Sequence, residues 1–102
     1  MGNNQEAQIF IKLILQNQQM AKIALGKMNN PITGKTEINL EFAKLSVDTL
    51  DMLKVKTKEN LSEYEEKFLD ETLIQLKIDY VEALAKTKMN DEQTGSSKGV
   101  KK

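Results

Sequence analysis

Two helix starts are written into the middle of this chain, Asn39 ahead of Leu40 and the tetrapeptide Ser62-Glu63-Tyr64-Glu65. Asn39 is a good N-cap, because its side-chain oxygen can accept from an otherwise orphan N–H of the first turn, and Glu41 complements the positive helix end. Ser62 and Glu65 match the capping box, in which hydroxyl and carboxylate satisfy two orphan backbone donors reciprocally. A link as short as Glu59–Leu61 between two capped helices predicts an antiparallel hairpin. Leu61 occupies the position of a hydrophobic staple, but Glu66 stands where its apolar partner belongs, so Leu61 is expected to pack elsewhere.

Apolar spacing extends this pattern to three helices. The first, about residues 4–25, carries Ala7, Ile11, Ile14, Leu15, Ala21, Ala24 and Leu25, and Gly26 closes it, with Lys22 and Lys27 at the end where cations are favoured. Asn29, Asn30 and Pro31 confirm the break. The connector Met28–Ile38 contains the Thr33-Gly34 turn signal, and Ile32 and Ile38 are expected to tuck it onto the core. The second helix, about 40–58, has the stripe Leu40, Ala43, Val47 and Leu50, widened by Phe42, Leu45, Met52 and Leu53 beyond what one contact needs. The third, about 63–87, has Leu69, Leu73, Leu76, Tyr80 and Ala83 on one face, with Phe68, Ile74, Ile78, Val81 and Leu84 broadening it. Residues 90–102 are too polar to bury themselves and read as a disordered tail. The expectation is an all-α fold, a single three-helix domain over residues 1–89 in which the first helix packs on the hairpin.

Ile9, Phe10, Ile11, Leu13, Ile14 and Leu15 leave only Lys12 polar across nearly two turns, placing apolar groups around most of the first helix. A hairpin covers only one side. Each large apolar side chain left in water forfeits about 1.5–3 kcal/mol, against a net stability of only about 5–15 kcal/mol for a whole domain. Another surface is therefore expected to cover them, and a symmetric homodimer supplies it with one patch used twice, completing a helical bundle. Ile9, Phe10, Leu13 and Ile14 are the candidate self-association surface. Insertion of this helix into a membrane surface is disfavoured, because Gln16, Asn17, Gln18 and Gln19 provide no basic face for anionic lipid. The N-terminal run has no basic n-region and breaks off at Gln16, so it reads neither as a signal peptide nor as a membrane span.

The chain has neither histidine nor cysteine, and all 15 of its basic residues are lysine. Catalytic triads, Cys–His pairs, zinc helices and Glu-x-x-His di-iron motifs cannot be built from it, and no disulfide points to an oxidising compartment. The reading is a non-enzymatic cytoplasmic protein with no cofactor, no metal site and no catalytic residue, acting as a protein-interaction module. The acids Glu63, Glu65, Glu66, Asp70 and Glu71 suit a helix N-terminus on electrostatic grounds alone. Asp48 and Asp51 are expected to flank the core and point outward, with Lys44 in reach of Asp48. Thr33-Gly34-Lys35 lacks the upstream glycine of a phosphate loop and is read as a turn. Tyr64 and Tyr80 read as packing residues. Lys54, Lys56 and Lys58 gather at the end of the second helix as a solvated cap and a weak candidate anion contact. The alternative reading, a ribosome- or nucleic-acid-associated factor, would use these with Lys98, Lys101 and Lys102; zero net charge and the absence of arginine disfavour it.

The order Pro31 to Gly34, Asn39 to Lys44, Asp48 to Lys58 and Asn60 to Glu65, preceded by Ala24-Leu25-Gly26 and continued by Leu73 to Val81, resembles a bacterial family catalogued as domain of unknown function 1844. The resemblance implies a small helical protein and carries no catalytic or binding residue with it. Two positions depart from the family pattern, Glu59 where glycine is usual and Lys77 where arginine is usual. If the first position is left-handed, a non-glycine residue there costs about 1 kcal/mol, and Asn60 is expected to take that conformation instead.

Overall fold

The computed structural model describes the backbone of residues 2–98 and the side chains of residues 5–88. It contains α1 (Gly2–Ala24), α2 (Leu40–Lys56) and α3 (Glu63–Lys98), and no β-strand among the described residues beyond an isolated bridge between Leu25 and Ile38. Both expected caps are formed. Phe42 N donates to Asn39 Oδ1 at 3.0 Å, and at α3 Ser62 N donates to Glu65 Oε1 at 2.8 Å while Glu65 N donates to Ser62 Oγ at 3.2 Å. α3 runs on to Lys98, past the expected end near Thr87: Lys88 to Gln93 hold neither glycine nor proline, and Gly95 lies within the helix. Residues 99–102, part of the expected tail, lie outside the described residues.

The three helices pack around two buried clusters. Ile14 and Ala21 of α1, Val47 and Leu50 of α2, and Leu69, Leu73 and Leu76 of α3 form the main cluster, with Phe10, Leu53, Leu61 and Phe68 packed around it. Leu61 thus turns into the core between the two capped helices, as its missing staple partner implied. A second cluster of Ala24, Leu25, Ala43 and Ala83 closes the other end, where alanines let the helices approach. Ile14 shares the main cluster with Leu50 and Ala24 shares the second with Ala43, which sets α1 antiparallel to α2. The ion pairs Lys54–Asp70 at 2.9 Å and Lys77–Asp51 at 3.2 Å set α2 antiparallel to α3.

Gly26 ends α1 in the left-handed region at φ 80°, with Gly26 N donating to Ile23 O at 3.1 Å and Lys27 N to Lys22 O at 2.9 Å. That pair of bonds is the Schellman closure. The connector then returns to the helix end, Asn39 N donating to Ala24 O at 2.8 Å. Its tip is stitched by Gly34 N to Asn30 O, Asn30 N to Lys35 O and Ile32 N to Asn30 Oδ1. Ile32, expected to tuck inward, is instead 91% exposed: the bonds that tighten the tip hold it away from the helices.

The second corner corrects another expectation. Glu59, not Asn60, is left-handed, at φ 71°. The turn closes one residue earlier than expected, with Asn60 N donating to Thr57 O at 2.8 Å, so the left-handed third position falls on Glu59.

Candidate functional site

The surface most in need of a role lies on the outer side of the α1–α2 pair. At 100° per residue, Ile9, Leu13 and Met20 share one strip of α1, and Phe42, Leu45 and Met52 share one strip of α2; all six are exposed. Asp51 and Lys54 occupy the edge of α2 that meets α3, and the α2 strip lies around the opposite edge. On α3, the α2 side carries Asp70 and Lys77, while Asp79 reaches Lys27 beyond the end of α1. With that handedness the α1 strip falls on its α2 flank, so the two strips make one face turned away from α3. Between Phe42 and Met52 the α2 strip holds only Thr49 besides its apolar members, and the α1 strip between Leu13 and Met20 holds only Gln16.

The structure separates the four residues of the expected self-association surface. Ile14 is 0% exposed in the core of the single chain and Phe10 packs against that core, so neither is available to a partner. Ile9, 61% exposed, and Leu13 face outward. Sequence spacing marks Phe42, Leu45 and Met52 as widening the α2 stripe beyond what one contact needs, but does not join them to Ile9 and Leu13 in one face. Small residues explain the difference: Ala43 and Ser46 are buried where the helices touch, and their size brings the backbones close enough that the larger neighbours are left outside.

The charged candidates are mostly engaged with one another. Lys54 lies 2.9 Å from Asp70, whose carboxylate holds the lysine above its ordinary pKa of 10.5, so that one of the three lysines of the expected anion contact is engaged within the fold. Lys44 donates to Asp48 at 2.8 Å, which likewise raises its pKa from 10.5, and Lys77 Nζ sits 3.2 Å from both oxygens of Asp51. Of the acidic cluster, Glu65 serves the capping box and Asp70 holds Lys54, while Glu63, Glu66 and Glu71 line a shallow groove along α3 with Tyr64 and Lys67. Tyr64 stacks on Phe68 with ring centroids 6.2 Å apart, and Tyr80 packs on the second cluster. Among the described residues no group of three or more acids is arranged to hold a metal ion.

One buried acid escaped sequence reading. Asp79, its side chain 8% exposed, accepts from Gln75 Nε2 at 3.1 Å and lies 3.9 Å from Lys27 Nζ, tying α3 to the turn after α1. The signal was its place among Leu76, Tyr80 and Ala83, which puts any residue on the packed side of the helix. It borders a cleft of about 530 Å3 with Gly26, Ile38 and Lys86. A smaller cavity of about 290 Å3 at the other end is walled by Val55, Leu61 and Leu69, with the Lys54–Asp70 pair at its rim. No helix among the described residues is long and apolar enough to cross a membrane.

Neither a curated protein nor a solved structure matches the chain. A family model does match, over residues 7–82, a span that takes in the outer face of α1 and α2, both corners and the ion-paired edge of α3. The chain belongs to the family described as a domain of unknown function, DUF1844.

Proposed function

We propose that this is a non-enzymatic helical protein of the cytoplasm that self-associates and acts as a protein-interaction module. The observation that carries the reading is the outer face of α1 and α2, where six large apolar side chains stand in water. A contiguous apolar patch of this kind is the ordinary mark of a protein-binding surface. The engagement of Lys54 with Asp70, Lys44 with Asp48 and Lys77 with Asp51 supports the same reading, since it draws Lys54 out of the candidate anion contact and both Asp48 and Asp51 out of a carboxylate pair. Light scattering on the full chain at micromolar concentration tests it. A dimer mass is expected, and a monomer mass sinks self-association.

A further inference from the structure

We infer that the outer face of α1 and α2 is a two-fold interface occupied by a second copy of this chain. This rests on the self-association proposed above and goes beyond it by choosing the face, because a second apolar strip competes for the role. Ile74, Ile78 and Val81 are also exposed, on the side of α3 away from the other helices.

Area decides between them. Ile9 to Met20 on α1 extends about 18 Å and Phe42 to Met52 on α2 about 17 Å, and two helices packed 8–10 Å apart present a face about 20 Å wide. The apolar footprint is about 350 Å2 per copy, or about 700 Å2 over two before its polar rim is counted, the low end for a specific interface. The α3 strip extends about 12 Å along a single helix about 10 Å across, which gives about 120 Å2 per copy, a third of that. Composition agrees with a second copy as the occupant. The centre of the face is uncharged on both helices, so it offers a charged partner nothing to pair with, while an identical face meets it apolar against apolar and satisfies two-fold symmetry without a complementary pattern.

Sedimentation analysis of three full-length proteins tests the inference: wild type, Leu45→Glu and Ile78→Glu. Leu45 and Ile78 are both largely exposed, so each variant is expected to keep the wild-type circular dichroism; Met52→Lys replaces Leu45→Glu if that one misfolds. The expected result is a wild-type dimer, an Ile78→Glu dimer, and a self-affinity weakened about 100-fold in Leu45→Glu, since a charge would be buried against apolar surface. A folded Leu45→Glu that dimerises as well as wild type overturns the choice of face and leaves self-association standing. A wild type that is monomeric at micromolar concentration overturns both.

Discussion

The two corners of the molecule solve the same problem under different constraints. Each must reverse the chain between antiparallel helices, and each leaves its helix through a residue in the left-handed region: Gly26 after α1, Glu59 after α2. At the first corner a Cβ on residue 26 would stand 2.9 Å from Ile38 Cγ1, so the backbone conformation and the packing of the returning connector both demand glycine. At the second, residue 59 is exposed and only the backbone conformation objects. A strained residue persists where its cost is purely conformational and the surrounding hydrogen bonds determine the turn without it. It does not persist where the strain would also push two segments apart.

The sharpest way to break the comparison is Gly26→Ala. The left-handed conformation alone costs a non-glycine residue about 1–2 kcal/mol, and the collision with Ile38 adds to it, so a loss of about 2 kcal/mol or more in urea unfolding is expected. In an Ile38→Ala background the collision disappears and the same substitution should cost only the conformational part. Equal losses in both backgrounds would show that Ile38 yields freely. Gly34, left-handed at φ 74° with no atom within 4 Å of a Cβ, gives the conformational cost by itself.

Next in size, Ser62→Ala removes half of the capping box and should lower stability by about 1 kcal/mol. It tests whether the second corner is held by its cap, as the 2.8 and 3.2 Å bonds imply. Glu59→Gly works in the opposite direction: relief of the left-handed strain should raise stability by about 1 kcal/mol, reduced by the added freedom of glycine in the unfolded chain. A Glu59→Gly variant less stable than wild type would mean that the carboxylate earns its place through a contact outside this chain.

Much of this architecture was legible in the sequence, and for identifiable reasons. Asn39, Ser62 with Glu65, and Gly26 act within a few residues of themselves, so local pattern was enough to place the starts of α2 and α3 and the end of α1. Glu59 was misplaced because two neighbouring residues compete for one left-handed position and only the closing bond from Asn60 N to Thr57 O decides between them. Ile14 and Leu45 were harder still. Both lie on broad apolar stripes, and which side of such a stripe is buried depends on where small residues let the helices touch, a property of the pair and not of either helix. The outer face is therefore half visible in the sequence: Ile9 and Leu13 are singled out, while Phe42, Leu45 and Met52 only widen the α2 stripe beyond what one contact needs. For Asp79 the spacing marks the burial but not the partner, since only the return of Lys27 past the end of α1 supplies one.

The smallest effect concerns pH and separates the second corner from the rest of α2. Lys54 pairs with Asp70 beside that corner, and the pairing raises its pKa above 10.5. A lysine whose pKa is raised by folding stabilises the fold while it is protonated; the contribution is complete below the unfolded value of about 10.4 and disappears as pH climbs through the folded one. The stability difference between wild type and Lys54→Met should therefore be constant from neutral pH to about pH 9.5 and shift against wild type above about 10.5. Exposure of both partners to solvent keeps this shift small and makes it shrink in added salt. Lys44→Met, which breaks a pair lying wholly within α2, should show the same alkaline sign without altering proteolytic cleavage at residues 57–61. If Lys54→Met also leaves that cleavage unchanged, the ion pair belongs to α2 and α3 as helices and the corner is held by Leu61 and the capping box alone.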